Sequence, residues 1–230
     1  MKERVELQIK VNEKNQVNGY LYPAEKDKAS AAIILAHGAG AGQLSPFMQL
    51  FASGLASRGA DVLTFDFIYM GQKRSVPDPK AKLEACYRAV IETAANDKRL
   101  KGKTLVIGGK SMGGRIASQV AAENSSDVGG VVCLGYPLHP PGNPAKLRVE
   151  HLPLIKVPIL FVQGSRDAFG SPDEIRPFIK NVKPKATIFE IEGGDHSFKV
   201  PKSGKLTQTD AYELAMNEIM KWTRSVLKTL

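Results

Sequence analysis

Short apolar runs alternate with longer amphipathic segments along the chain. Ala31–His37 is apolar at nearly every position, as expected for a strand that is buried on both faces of a sheet. Pro46–Arg58 has apolar residues at positions i, i+3, i+4 and i+8, which predicts an amphipathic helix. The same patterns predict strands at Val5–Val11, Gly19–Tyr22, Ala31–His37, Asp61–Phe67, Thr104–Gly109, Gly130–Gly135, Pro158–Gln163 and Thr187–Ile191. Helices are predicted at Pro46–Arg58, Pro79–Asn96, Met112–Glu123, Pro172–Lys180 and Gln208–Leu227.

The order of these elements predicts the fold class. Strands that alternate with helices form right-handed βαβ crossovers, which produce a mostly parallel sheet with helices on both faces. We therefore expect an α/β protein. No internal repeat, linker or break in composition interrupts the alternation, so residues 1–230 are predicted to form one domain.

Composition argues against several classes of protein. Hydrophobic residues make up 43% and charged residues 24% of the chain, which is typical of a folded globular protein rather than a disordered one. The mean hydropathy is −0.19, and no apolar run approaches the roughly 18 residues of a membrane span. The N-terminal segment is charged and lacks the apolar stretch of a signal peptide. We therefore expect neither a membrane anchor nor secretion.

Cysteine usage and charge bear on the compartment and the partners. Cys86 and Cys133 cannot build a disulfide framework and lack metal-ligand spacing, which favours the reducing cytoplasm and predicts no metal. Lys and Arg total 32 against 23 Asp and Glu, so the net charge is +9. This charge suits either an anionic partner or solubility alone. No nucleic-acid motif accompanies the lysine clusters, so nucleic-acid binding is disfavoured.

The segment Gly109–Gly113 (GKSMG) matches the pattern G-x-S-x-G. It directly follows an apolar strand and opens a predicted helix, which is the context of a nucleophile elbow. In such a turn the nucleophile, here Ser111, is strained, and the flanking glycines relieve crowding between strand and helix. The alternative is an ordinary glycine-rich turn that binds a phosphate at a helix N-terminus.

A second glycine-rich loop, His37–Gly42 (HGAGAG), ends the third predicted strand. Such a loop can direct a backbone N–H at the elbow, so the N–H groups of Ala39 and Met112 are predicted to form an oxyanion hole. The loop lacks the P-loop pattern, and its glycine spacing differs from the dinucleotide fingerprint G-x-G-x-x-G. Nucleotide binding is therefore disfavoured.

An acid and a histidine follow strands downstream of the elbow. Asp167 comes just after Pro158–Gln163, and His196 lies in a glycine-rich loop after the next strand. The chain order Ser111, Asp167, His196 is the order that a Ser-His-Asp triad requires on this type of sheet. His37 is the main rival base, but its place beside the oxyanion loop favours a structural hydrogen bond.

Four motifs together, HGAGAG, GKSMGG, GSRD and GGDHSF, resemble the α/β-hydrolase superfamily across nearly the whole chain. A narrower resemblance rests on Gly109–Arg115, Tyr136–Pro140 and Lys146–Arg148. These segments are similar to a small branch that includes a testis-expressed protein and the hydrolase-like region of a subunit of a nuclear histone-acetyltransferase complex. The branch is related to the dienelactone hydrolases. The resemblance implies the α/β-hydrolase fold.

The family's catalytic triad transfers to Ser111, Asp167 and His196, and all three residues are present. One departure is that dienelactone hydrolase itself has a cysteine nucleophile where this chain has Ser111. That departure argues against lactone chemistry of the same type.

These residues predict a serine hydrolase of the esterase type whose substrate is a small-molecule ester. No metal or organic cofactor is expected, because the nucleophile, the base and the anion site are complete within the chain. The alternative is a catalytically idle hydrolase-like module that serves for interaction within an assembly. The complete triad disfavours that alternative. The oligomeric state is not predicted.

The segment that forms a lid in many such folds is short here. About 20 residues separate Tyr136 from Val157, and they include several prolines. We therefore expect a minimal lid and a shallow pocket that prefers short acyl groups. The predicted walls are Tyr136, Leu138 and His139 on one side and Tyr69 and Arg74 on the other.

Overall fold

The computed structural model describes residues 2–25, 30–180, 182–183 and 186–228. Within these residues the strands are β1 (Val5–Lys10), β2 (Gln16–Tyr22), β3 (Ala31–Ala36), β4 (Asp61–Phe65), β5 (Thr104–Lys110), β6 (Gly130–Leu134), β7 (Ile159–Gly164) and β8 (Ala186–Ile191). The helices are α1 (Pro46–Ser57), α2 (Ile68–Gly71), α3 (Lys80–Asn96), α4 (Met112–Glu123), α5 (Pro172–Ile179) and α6 (Gln208–Leu227).

The eight described strands form one sheet in the order β1-β2-β4-β3-β5-β6-β7-β8. β2 pairs antiparallel with both β1 and β4, and all the other neighbours are parallel. β3 lies between β4 and β5 and is buried at all six positions. The mostly parallel sheet predicted from the alternation of elements is therefore confirmed.

Apolar side chains cover both faces of the sheet. On one face α3 and α4 contribute residues such as Tyr87 and Ile116 to a core cluster. On the other face α1 and α6 contribute Phe51 and Ile219 to a second cluster. The prediction of helices on both faces is confirmed, since each helix buries one apolar stripe against the sheet.

Between β6 and β7, residues 135–158 contain one 3-10 turn, Leu152–Leu154, and no α-helix. Hydrogen bonds between residues of the segment close it on itself. The Tyr136 hydroxyl donates to the Arg148 carbonyl at 2.5 Å, and the Arg148 guanidinium donates to the Pro137 carbonyl at 3.1 Å. We call residues 135–158 the strap. It occupies the position in the chain where the sequence predicts a minimal lid.

The structure adds one short helix between the predicted strand Asp61–Phe67 and the predicted helix Pro79–Asn96. This four-residue helix, α2, directly follows Phe67. No helix among the described residues has both the length and the apolar character needed to cross a bilayer.

Gly108 in β5 lies where two strands approach closely. A Cβ atom at this position would be 2.0 Å from the carbonyl oxygen of Val132 in β6. We expect Gly108→Ala to lower the free energy of unfolding by about 3 kcal/mol or more, because backbone must move to relieve the collision. Gly71→Ala is the matched control, since a Cβ there would meet no atom within 4 Å. Urea denaturation measures both variants, and equal stabilities would contradict the prediction.

Candidate active site

Ser111 occupies the turn between β5 and α4 with φ 51° and ψ −115°, a conformation that non-glycine residues rarely adopt. The sequence permits this turn because its neighbours lack side chains. A Cβ atom on either Gly109 or Gly113 would lie 2.3 Å from the carbonyl oxygen of Ala36. The two glycines therefore let the elbow pack directly on the end of β3, which leaves the Ser111 hydroxyl at the edge of the sheet.

His196 and Asp167 meet Ser111 at this edge. The Ser111 Oγ lies 2.8 Å from His196 Nε2, and His196 Nδ1 lies 2.8 Å from Asp167 Oδ2. This is the distance expected for hydrogen bonding of a nucleophile to its base and of the base to a carboxylate. With a proton on Nδ1, the ring donates to Asp167 and leaves Nε2 free to accept from the serine hydroxyl.

The Asp167 side chain is fully buried, and its carboxylate is held from two further directions. Gln163 Nε2 donates to its Oδ2 at 2.7 Å, and the Phe169 N–H donates to its Oδ1 at 2.8 Å. Four hydrogen-bonding contacts, two of them with His196, therefore fix both oxygens of the carboxylate. Sequence reasoning missed Gln163, although a lone polar residue at the end of the apolar run Pro158–Gln163 was a detectable signal.

Phe169 was also missed. Its ring stacks on the imidazole of His196, with centroids 4.1 Å apart and planes 26° apart. The ring thus limits rotation of His196. A phenylalanine two residues beyond Asp167 carries no sequence signal for this role, because the contact depends on how two separate loops pack.

The loop that carries His196 is fixed by its own residues. The Asp195 carboxylate accepts from the N–H groups of Ser197 at 2.7 Å and Lys199 at 2.9 Å. Phe198, with φ 61°, is fully buried. Asp195 therefore caps its loop, while Asp167 contacts the imidazole, as the sequence order predicts.

The two predicted oxyanion donors lie on the loop after β3 and at the start of α4. In the described part of the chain, neither the Ala39 N–H nor the Met112 N–H donates to an acceptor. Met112 is the first residue of α4, where the N–H groups of a helix have no partner within it. A Cβ on Gly38 would be 3.7 Å from Ser111 Cβ, so this loop lies directly beside Ser111.

His37 stabilises the same loop. Its Nδ1 lies 2.7 Å from the Gly38 carbonyl, and its Nε2 accepts from the Phe67 N–H at 3.1 Å. These contacts place the proton on Nδ1. Burial lowers the pKa of His37, outweighing the opposite effects of the Gly38 hydrogen bond and the nearby Asp66 carboxylate. His37 is therefore a structural residue beside the site.

A cavity of ≈ 570 Å³ opens next to Ser111 and His196, within the range of small-molecule sites. Its lining includes the loop 38–41, the polar residues Lys110, Ser197 and Lys199, and an apolar wall from α1, α6 and the segment after β7. That wall consists of Pro46, Phe47, Met48, Leu50, Phe169 and Tyr212.

Among the described residues, no group of three or more His, Cys, Asp or Glu side chains is arranged to hold a metal ion.

The predicted wall of Tyr136, Leu138 and His139 is wrong. None of the three lines the cavity, and all are buried. The Tyr136 hydroxyl is bonded to the Arg148 carbonyl, and His139 Nε2 lies 3.2 Å from Glu174. The physical reason is that the strap after β6 folds against the body of the protein instead of standing beside Ser111.

The opposite wall, Tyr69 and Arg74, is also misplaced. Tyr69 is fully buried and donates its hydroxyl to the Ala39 carbonyl at 2.9 Å, so it supports the loop after β3 from behind. Arg74 pairs with Asp78 at 2.6 Å. The wall comes instead from α1 and α6, whose approach to the elbow depends on tertiary packing.

Acid should destabilise the protein partly through His37. Its folded-state pKa is below the ordinary value of 6.5, so below about pH 6.5 the unfolded chain binds more protons than the folded one. The free energy of unfolding should therefore fall as the pH drops below about 6.5. His37→Gln keeps an acceptor for the Phe67 N–H but does not titrate, so its stability should depend less steeply on pH. Urea denaturation at several pH values measures the slopes, and identical slopes would exclude His37 as a contributor.

Comparisons with known proteins agree with this architecture. Residues 29–224 match the family described as "Alpha/beta hydrolase domain". The quorum-quenching protein AidA of Acinetobacter baumannii (strain MDR-ZJ06) is 31% identical over 112 residues, which cover 47% of this chain and 36% of that protein. The chain thus matches about a third of the length of this relative.

Two solved structures share the fold at low sequence identity. The dienelactone hydrolase of Anabaena variabilis ATCC 29413 superposes with a TM-score of 0.75 at 21% identity, covering 95% of this chain and 97% of that one. XC6422 of Xanthomonas campestris, described as a serine hydrolase without lid, has a TM-score of 0.72 at 17% identity and covers 96% of each chain. Because the family match spans most of its residues, this chain belongs to the alpha/beta hydrolase family.

Proposed function

We propose that the protein is a serine hydrolase of the esterase type. The observation that carries the proposal is the hydrogen-bonded series from Ser111 through His196 to Asp167 beside a cavity of ≈ 570 Å³. A nucleophile, a base and a group that orients the base are the parts needed for acyl transfer.

In the proposed reaction Ser111 Oγ attacks the acyl carbon of an ester while His196 Nε2 accepts the hydroxyl proton. The N–H groups of Ala39 and Met112 donate to the oxyanion of the tetrahedral intermediate. His196 then returns the proton to the departing alcohol, which leaves an acyl group on Ser111. In the second half of the reaction His196 deprotonates a water molecule that attacks the acyl carbon. The bond to Ser111 Oγ then breaks, His196 returns the proton to this oxygen, and the acid is released.

Asp167 supports both steps by accepting from His196 Nδ1. This bond keeps Nε2 as the acceptor and stabilises the imidazolium that forms in each step. Because Gln163 and the Phe169 N–H hold the carboxylate, it remains in place while the charge on the ring changes. The protein's own residues thus account for the whole proton transfer.

The substrate we propose is a compact ester. The cavity wall is mainly apolar, which suits a hydrophobic acyl or alcohol group, and the strap between β6 and β7 adds no cap over it. The names of the similar proteins support hydrolytic chemistry in general. They do not specify the ester.

We also propose that the chain falls in the small branch of hydrolase-like proteins identified by its Arg115, Tyr136 and Arg148 motifs. In the structure the Tyr136 hydroxyl donates to the Arg148 carbonyl, and the Arg148 guanidinium donates to the carbonyl of Pro137, the residue after Tyr136. Both motif positions therefore stabilise the strap. Such a shared task supports a common origin of the motif.

Replacement of the triad should remove turnover without unfolding the protein. We expect Ser111→Ala, Asp167→Asn and His196→Ala each to lower kcat for p-nitrophenyl butyrate by on the order of 10⁴-fold, because each loses a part of one proton-transfer unit. Ser53→Ala is the matched control, since that hydroxyl bonds only to its own helix.

A fluorophosphonate probe provides the independent readout. It should label the wild type and the Ser53 variant but not Ser111→Ala. A folded wild type that neither hydrolyses esters nor reacts with the probe would refute the proposal and favour the idle interaction module. Full activity of His196→Ala would instead place the base elsewhere.

Acyl chain length tests the compact-substrate proposal. We expect kcat/KM for p-nitrophenyl esters to be higher for acetyl or butyryl than for decanoyl and longer groups, because a cavity without a cap leaves a long chain in water. Steady-state kinetics across the series measures this preference. A kcat/KM that rises through decanoyl would contradict it.

A further inference from the structure

We propose that Lys110, the residue directly before the nucleophile, is a positioning residue that holds the backbone of His196 and thereby aims the imidazole at Ser111. The inference rests on the proposed function, because it assigns to Lys110 a role in that same site. Neither the G-x-S-x-G pattern nor the triad calls for a lysine at this position.

The geometry provides the first support. The Lys110 Nζ donates to the main-chain carbonyl of His196 at 2.6 Å, across 86 residues of sequence. The bond joins the residue before the nucleophile to the peptide of the base. It therefore couples the two loops whose separation sets the Ser111–His196 distance.

The backbone around Lys110 leaves room for this contact. A Cβ on Gly135 would lie 3.1 Å from Lys110 Nζ and 2.6 Å from the His196 carbonyl oxygen. On the other side, a Cβ on Gly38 would lie 3.7 Å from Lys110 Cγ. The Lys110 side chain thus passes between Gly135 and Gly38, which have no side chains. Its Nζ reaches the carbonyl oxygen of His196.

The charge environment provides the second support. Burial lowers the pKa of Lys110 to about 8, against the opposing influence of the Asp167 and Asp195 carboxylates. The Phe47 ring is 5.7 Å from Nζ, and Tyr212 and Lys199 line the same cavity. An ammonium is costly to withdraw from water, so an apolar residue of similar length would suit the stability of the fold better.

The consequence for catalysis follows from the other contacts of His196. Asp167 and Phe169 restrain its ring, while Asp195 fixes the N–H groups of the residues that follow. Lys110 restrains the carbonyl of His196 itself. Without that bond the His196–Ser197 peptide keeps only the hydrogen bond from its N–H to Asp195, so its carbonyl side is less restrained. A displacement of about 1 Å at a reacting group lowers rates by about 10²-fold.

The experiment compares Lys110→Met with Lys205→Met, which removes the same charge from an exposed lysine paired with Glu192. For Lys110→Met we expect kcat for p-nitrophenyl butyrate to fall about tenfold or more, with KM changed less than about twofold. The Tm should equal or exceed that of the wild type, because a half-buried charge is removed. Lys205→Met should match the wild type in all three quantities.

Chemical rescue keeps the test valid if Lys110→Met folds poorly. Lys110→Cys treated with 2-bromoethylamine gains a thioether side chain that ends in an ammonium group at nearly the length of lysine. The two native cysteines are buried. Treatment should restore kcat toward the wild-type value. Unchanged kcat in Lys110→Met would overturn the inference. So would the failure of the treatment to restore kcat in folded Lys110→Cys protein.

A spectroscopic readout separates this inference from the proposed function. The His196 Nδ1 proton, bonded to Asp167, should give a downfield resonance in proton NMR. We expect Lys110→Met to shift or broaden it, whereas Lys205→Met leaves it unchanged. If the wild type hydrolyses no ester, the proposed function fails, and this resonance still decides the role of Lys110. An identical resonance in Lys110→Met and the wild type would overturn that role.

Discussion

The site depends on one steric constraint, the contact between the elbow and the end of β3. Gly109 and Gly113 both face the carbonyl oxygen of Ala36, and neither position has space for a Cβ atom. This close approach forces Ser111 into its unusual backbone conformation and brings the Gly38 loop beside it. The surrounding structure holds this strain because the elbow packs on β3, which is buried at all six positions, and follows β5, which is buried at its five central positions.

From the elbow, a continuous set of polar contacts runs along the carboxyl edge of the sheet. It begins at the end of β7, where Gln163 holds Asp167, and continues through His196 to Ser111. Lys110 then returns from the elbow to the His196 carbonyl. Loops after β5, β7 and β8 are thus joined by hydrogen bonds between side chains and backbone, which restrict the relative movement of the proposed reacting groups.

The sequence by itself determined the alternation of elements, the sheet type and the proximity of Ser111, Asp167 and His196. Each of the three follows a parallel strand, and such strands deliver their carboxyl ends to one edge of a sheet. The glycines of the elbow were equally informative, because a missing side chain is a local property that the sequence states directly.

Only the tertiary structure decided what surrounds that triad. The predicted walls Tyr136 and Tyr69 turned out to be buried supports, while Phe47 and Tyr212 line the cavity. The contacts of Phe169 and Lys110 with His196 were invisible in the sequence. The physical reason is that periodicity and spacing fix which strand a residue follows, whereas the direction of its side chain depends on how distant helices and loops pack against each other.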